Sequence, residues 1–172
     1  MMSSAVSLKR IDASELGDLK VDELEELARS HYDGDVDGYS AGDSLRKAVV
    51  IWAEAASRGS VESKYSLAVC YREGVGVPAD IAQSFKMMSE LTTATPGYYL
   101  AHYALAVMYL QGDGVDAKIS KSNREKAGFY HMKQAASQGV LPALHNIANC
   151  YASGRGVKQS DHNAQLLSLI HI

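Results

Sequence analysis

Three stretches of the chain place apolar residues in the same order. A large aliphatic residue (Leu67, Leu105, Ile147) is followed by alanine (Ala68, Ala106, Ala148) and, three positions on, by tyrosine (Tyr71, Tyr109, Tyr151). Positions i, i+1 and i+4 share one face of an α-helix, so each stretch predicts a helix buried along that face. The alanine lets a neighbouring helix approach, and the tyrosine fills the space beside it. Each tyrosine is followed by x-x-Gly-x-Gly-Val: Gly74, Gly76 and Val77; Gly112, Gly114 and Val115; Gly154, Gly156 and Val157. Glycine accepts the left-handed conformation at a helix C-terminus, so the motif predicts the end of this first helix, helix A. The valines are expected to pack the turn back onto the hairpin.

A second helix, helix B, is expected to follow. Asp80, just after Pro78, is a candidate N-cap. Ala55-Ala56 and Ala135-Ala136 end three residues before Gly59 and Gly139, and Thr93-Ala94 is a weaker version before Pro96-Gly97. The tyrosines are 38 and 42 residues apart, and Gly59, Gly97 and Gly139 each stand 12 residues before one. Self-similarity at this period marks stacked helical hairpins. A degenerate first copy precedes them, with Leu27-Ala28, His31 in the tyrosine slot and Gly34 in the first glycine slot.

The expected organisation is a leader, partly disordered, over 1–19 and helical repeats over 20–166. The repeat units are 20–59, 60–97, 98–139 and 140–166. The four-residue surplus of the third unit over the second (42 against 38) is expected in the loop Asp116–Asn123. Residues 167–172, Leu-Ser-Leu-Ile-His-Ile, match one reading frame of a common transposase adapter. They are read as an adapter-derived tail and are assigned no function, His171 included. On that reading the chain stops inside a repeat. The last helix A would then be poorly covered and the fragment inclined to self-associate.

Composition narrows the function. The 172 residues carry a net charge of −3, with pI near 6.0 and mean hydropathy −0.15. That gives no general attraction to nucleic acid or anionic membrane. No apolar run nears the roughly 18 residues of a membrane span. Met1–Arg10 holds no signal-peptide core, and two cysteines make no disulfide framework. A cytoplasmic location is therefore favoured.

Ala-x-x-x-Leu-Ala-x-x-Tyr, x-x-Gly-x-Gly-Val and Ala-Ala-x-x-Gly together resemble the Sel-1-like repeat family, relatives of tetratricopeptide repeats. The resemblance covers roughly residues 20–166. It implies an all-α fold: a right-handed superhelical solenoid of antiparallel helix pairs. It also implies an adaptor role in signalling, protein quality control or complex assembly. One departure is that the family's helix-B aromatic is not constant here, where Ile51-Trp52, Phe85 and Tyr130-His131 fall near it. Some bacterial relatives carry a cysteine pair within each repeat. Here Cys70 and Cys150 take the same slot two repeats apart, and both are read as buried core thiols.

Candidate chemistry is sparse. The paired glycines lack the third glycine and preceding strand of a dinucleotide fingerprint. Asp33-Gly-Asp35-Val-Asp37-Gly38 matches the first half of a calcium loop, but Ser44 stands where a bidentate glutamate belongs. It reads first as a solvated acidic turn, with Asp33, Asp35 and Asp37 as a weak calcium candidate. His31, His102, His131, His145 and His162 show no metal-ligand spacing. His102 and His145 are expected to be an exposed pair brought together by chance. No Gly-x-Ser-x-Gly elbow is present. Scattered carboxylates such as Glu23, Glu25 and Glu26 read as a solvated helix face. The chain is read as a non-enzyme without cofactor.

The face of helix A opposite its core follows from the register: two before the Leu, two after it and five after it. In the solenoid that the resemblance implies, the A helices line the concave side. The rule selects Tyr65, Val69 and Arg72; Tyr103, Val107 and Leu110; His145, Asn149 and Ala152; and Glu25, Arg29 and Tyr32 in the first unit. This apolar strip with a polar rim has the composition of a protein-binding groove. The competing reading is that Tyr65 and Tyr103 only pack between adjacent A helices. The expected function is an adaptor holding a peptide or partner helix there, with no nucleic acid, membrane insertion or small-molecule substrate. The alternative is a regulatory or substrate-recruiting segment of a larger enzyme.

Overall fold

The computed structural model describes residues 16–169, and the described residues are helical without strands. A 3₁₀ turn, Leu16–Asp18, precedes eight α-helices: α1 Val21–Asp33, α2 Ala41–Ser57, α3 Val61–Glu73, α4 Ile81–Ala94, α5 Tyr99–Gln111, α6 Lys121–Ser137, α7 Leu141–Ser153 and α8 Asp161–Leu169. Odd-numbered helices are the A helices and even-numbered ones the B helices. They form two compact units, divided between Asp80 and Ile81.

Local sequence sets the helix ends. Ser60 accepts from the Ser63 amide at 2.9 Å to start α3, and Ser120 and Ser160 do the same for Asn123 and Asn163 at 3.3 Å. These serines satisfy amides that have no partner within the helix. Every A helix ends on a left-handed glycine: Gly34, Gly74, Gly112 and Gly154, with φ between 70° and 90°.

The second glycine of each pair does more than turn the chain. Gly76, Gly114 and Gly156 also have positive φ, and each lies against the preceding B helix. A Cβ on Gly76 would collide with the Leu45 carbonyl of α2, and one on Gly156 with the Glu125 carbonyl of α6. On Gly114 it would fall 2.7 Å from both the Ile81 carbonyl oxygen and Phe85 Cβ in α4. The glycine-valine turn is thus a stacking contact between consecutive repeats, built from backbone.

In unit 1, α1–α3 close over Leu24, Leu27, Ala28, Ile51, Trp52, Ala55, Leu67 and Ala68. His31 is buried in the tyrosine slot, its Nδ1 3.1 Å from Ser44 Oγ. Of the segment read as a leader, residues 16–19 are tied down by Arg58, which donates to the Leu16 and Leu19 carbonyls at 2.8 and 2.6 Å. Residues 1–15 lie outside the described residues. In unit 2, a cluster of Ala106, Phe129, Met132, Ala135, Ala143, Ile147 and Cys150 joins α5, α6 and α7. Of the six terminal residues, 167–169 end α8 and 170–172 lie outside the described residues.

One expectation is corrected here. The third unit's surplus is not confined to a loop: Gly112–Ser120 exceeds Gly74–Asp80 by two residues, and α6 has 17 residues against 14 in α4. The α6 aromatic that packs on the next helix A is Phe129, the residue before the Tyr130-His131 pair. Phe129 meets Tyr151 edge-on at 5.4 Å, as Phe85 meets Tyr109 at 5.2 Å. Tyr130 itself is 57% exposed.

Candidate functional site

In unit 1, the outward residues of α1 and α3 converge with α2 on a pocket of about 250 Å³. Arg29 and Tyr32 enter from α1, Trp52 from α2, and Tyr65, Ser66, Val69 and Cys70 from α3. The Tyr32 and Trp52 rings lie 5.2 Å apart, inclined by 50°. Arg72 stays outside the pocket and pairs with Glu73 at 3.1 Å. Arg29 lies 4.0 Å from Glu62, with both side chains exposed. Burial above all, and then the nearby carboxylates Glu73 and Asp33, push the Tyr32 hydroxyl above its usual pKa. Burial above all, and then Glu73, pushes the Cys70 thiol up to about 11, so it stays protonated. Four of the register-derived residues (Arg29, Tyr32, Tyr65 and Val69) therefore share one cavity. Trp52 falls near the helix-B aromatic position that the resemblance points to. It is 7% exposed and forms part of the pocket wall, which helix periodicity alone does not reveal.

In unit 2 the same face is more committed to packing. Tyr103, Val107 and Leu110 are half-buried against the α5–α7 cluster. Asn146 donates to the Tyr103 hydroxyl at 3.5 Å. Leu110 lies against Gly128, where an added Cβ would be 2.8 Å from its Cγ. Leu110 and Asn149 line a shallow depression of about 530 Å³ with Asn146 and Arg155. Arg155 donates to the Leu110 carbonyl at 2.8 Å and to Glu125 at 3.3 Å. His145 is exposed but does not line it.

The histidines depart from expectation. His102 is 5% exposed rather than part of an exposed pair with His145. Its Nδ1 lies 2.9 Å from His131 Nδ1 and its Nε2 2.9 Å from the Pro96 carbonyl. The calcium reading of Asp33, Asp35 and Asp37 is not supported, because no three His, Cys, Asp or Glu among the described residues are grouped to hold a metal. Val36, between two of these aspartates, turns into the core at 5% exposure, and Gly34 and Gly38 adopt positive φ. The loop's geometry serves helix closure. Cys70 and Cys150 are both buried and free. No described helix is long and apolar enough to cross a membrane.

Paired helices and repeated glycine closures define a helical repeat protein. Sel1 repeat models match residues 61–90, 100–140 and 141–166, more than half of the chain, and the chain belongs to the Sel1 repeat family. The fold is similar to the crystal structure of a Sel1 repeat protein from Oxalobacter formigenes. That match has a TM-score of 0.73 and 17% identity, and covers 93% of this chain and 60% of that one. It is also similar to c5321, a protective antigen present in uropathogenic Escherichia coli strains that displays an SLR fold. There the TM-score is 0.63 and the identity 19%, over 92% of this chain and 40% of that one. The chain thus spans less than two thirds of either structure. No curated protein matches it. Sel1 repeat proteins are typically non-catalytic scaffolds for protein–protein interaction.

Proposed function

We propose that this chain is a non-enzymatic adaptor that holds a peptide or partner helix on the outward face of its A helices. The observation that carries this reading is the unit 1 pocket, because residues selected by helical register alone line one aromatic cavity. Tyrosine and tryptophan supply apolar area at low conformational cost, as in interface hot spots. In unit 2, Val107 and Leu110 offer less free surface, and the exposed contribution comes from Asn149 and His145.

Photo-crosslinking tests the assignment. A benzophenone side chain at Val69 or Asn149 is expected to trap a partner in lysate from the source cells. The same group at exposed B-helix positions Val50 or Tyr130 is expected not to. Crosslinks from Val50 and Tyr130 alone would move the interaction surface to the B helices and overturn the proposal.

A further inference from the structure

Deepening that reading, and resting on it, we infer that the unit 1 pocket receives a basic peptide segment. One large apolar side chain enters the cavity, and flanking lysines or arginines face Asp33.

Size comes first. A cavity of about 250 Å³ suits one side chain and lies below the usual range of roughly 300–1,000 Å³ for small-molecule sites. Its lining is largely aromatic: Tyr32, Trp52 and Tyr65, with the apolar Val69 beside them. Ring faces of this kind accept aliphatic groups and also attract cations.

Charge selects the flanks. Residues 16–80 carry thirteen Asp and Glu against seven Lys and Arg, whereas residues 81–169 carry five against eight. Asp33 directly follows Tyr32 at the end of α1, and its charge is among those that raise the pKa of the Tyr32 hydroxyl. Arg29, which lines the pocket, lies 4.0 Å from Glu62, and Arg72 on α3 pairs with Glu73. Asp33 forms no ion pair among the described residues and is exposed, as are Asp35 and Asp37 on the same turn. An acidic peptide would meet this excess of carboxylates. A basic peptide gains at the same positions.

Trp52 is the single tryptophan of the chain, so its emission reports this pocket. The whole chain would be titrated with the capped peptide Lys-Lys-Leu-Lys-Lys, an alanine-centred version, and the charge-reversed Glu-Glu-Leu-Glu-Glu. The first is expected to change Trp52 emission saturably, with affinity falling several-fold as salt rises from about 0.05 to 0.5 M. The alanine-centred peptide should bind about tenfold more weakly, the loss expected for a missing buried leucine. Asp33→Asn, at an exposed position, should weaken binding several-fold. Ser66→Phe should block it with the circular dichroism spectrum unchanged.

Equal binding of the leucine and alanine peptides would overturn the proposal. Preference for the charge-reversed peptide would overturn the basic class but leave peptide binding at the pocket intact. If no peptide moves Trp52 while Val69 still crosslinks a partner, the inference falls and the adaptor reading survives. If both are silent, both fall.

Discussion

The Nδ1 atoms of His102 and His131 lie 2.9 Å apart, and the surrounding bonds fix the proton between them. The Pro96 carbonyl can only accept, so His102 Nε2 carries hydrogen and donates to it. His102 Nδ1 is then the acceptor, and His131 Nδ1 donates to it. The pair bonds α5 to α6 and holds the linker after α4. The His131 ring is stacked on Tyr109 at 5.7 Å with 7° between planes.

This arrangement predicts acid sensitivity of unit 2. Burial first, and then His102, lower the His131 pKa from 6.5 to about 4. The folded state therefore binds fewer protons than the unfolded chain over this range. The stabilisation is full above pH 6.5 and is lost as pH falls towards 4. Discounted for solvent screening, the contribution is on the order of 1–2 kcal/mol. Melting followed by circular dichroism between pH 7.5 and 4.5 should show the loss, and His131→Phe should flatten the dependence. An unchanged slope in that variant would assign the acid sensitivity elsewhere.

The two glycines of each pair should differ in cost. Gly74→Ala meets left-handed strain and an Ala79 Cβ at 3.3 Å, worth about 1 kcal/mol. Gly76→Ala and Gly156→Ala add collision with a helix carbonyl, for about 3 kcal/mol. Urea unfolding of the single variants measures the gap, and equal losses would refute the stacking role.

Gly128 sets helix propensity against packing. In an isolated helix, Gly→Ala gains about 1 kcal/mol. Here the new Cβ would lie 2.8 Å from Leu110 Cγ and 3.1 Å from the Ala106 carbonyl oxygen, and overpacking costs about 1–3 kcal/mol. Gly128→Ala should therefore destabilise by about 1 kcal/mol alone and become neutral or better in a Leu110→Ala background. A double-mutant cycle in urea reads the sign change.

The free thiols should be inert. Cys70 is 2% exposed with its pKa raised to about 11, and burial also raises that of Cys150. A disulfide reagent at pH 8 is expected to label neither in the folded chain and both in denaturant. Fast labelling of folded Cys70 would show that the pocket opens to its floor.

Helix A was readable because its constraints are local. A left-handed turn demands glycine, and close helix approach demands alanine, so Gly74, Gly112, Gly154, Ala68, Ala106 and Ala148 stand out at fixed spacing. Helix B was less legible. Its aromatic position is not constant along the chain, and in α6 the contact with the next helix A is made by Phe129, beside Tyr130-His131. The unit 1 pocket was half legible: Arg29, Tyr32, Tyr65 and Val69 follow from A-helix register, but Trp52 arrives from another helix. His102 was missed because its partners, His131 and Pro96, are set by tertiary packing rather than by sequence spacing.

The Gly76, Gly114 and Gly156 contacts carry a further consequence. What each glycine rests on includes a peptide carbonyl, of Leu45, Ile81 or Glu125, and these three side chains have little in common. A joint made with main chain is indifferent to the sequence on its other side. Neighbouring repeats can diverge, or be duplicated and exchanged, without rewriting the seam between them, provided the glycine is kept. The variation seen among the B helices of this chain is what such a seam tolerates.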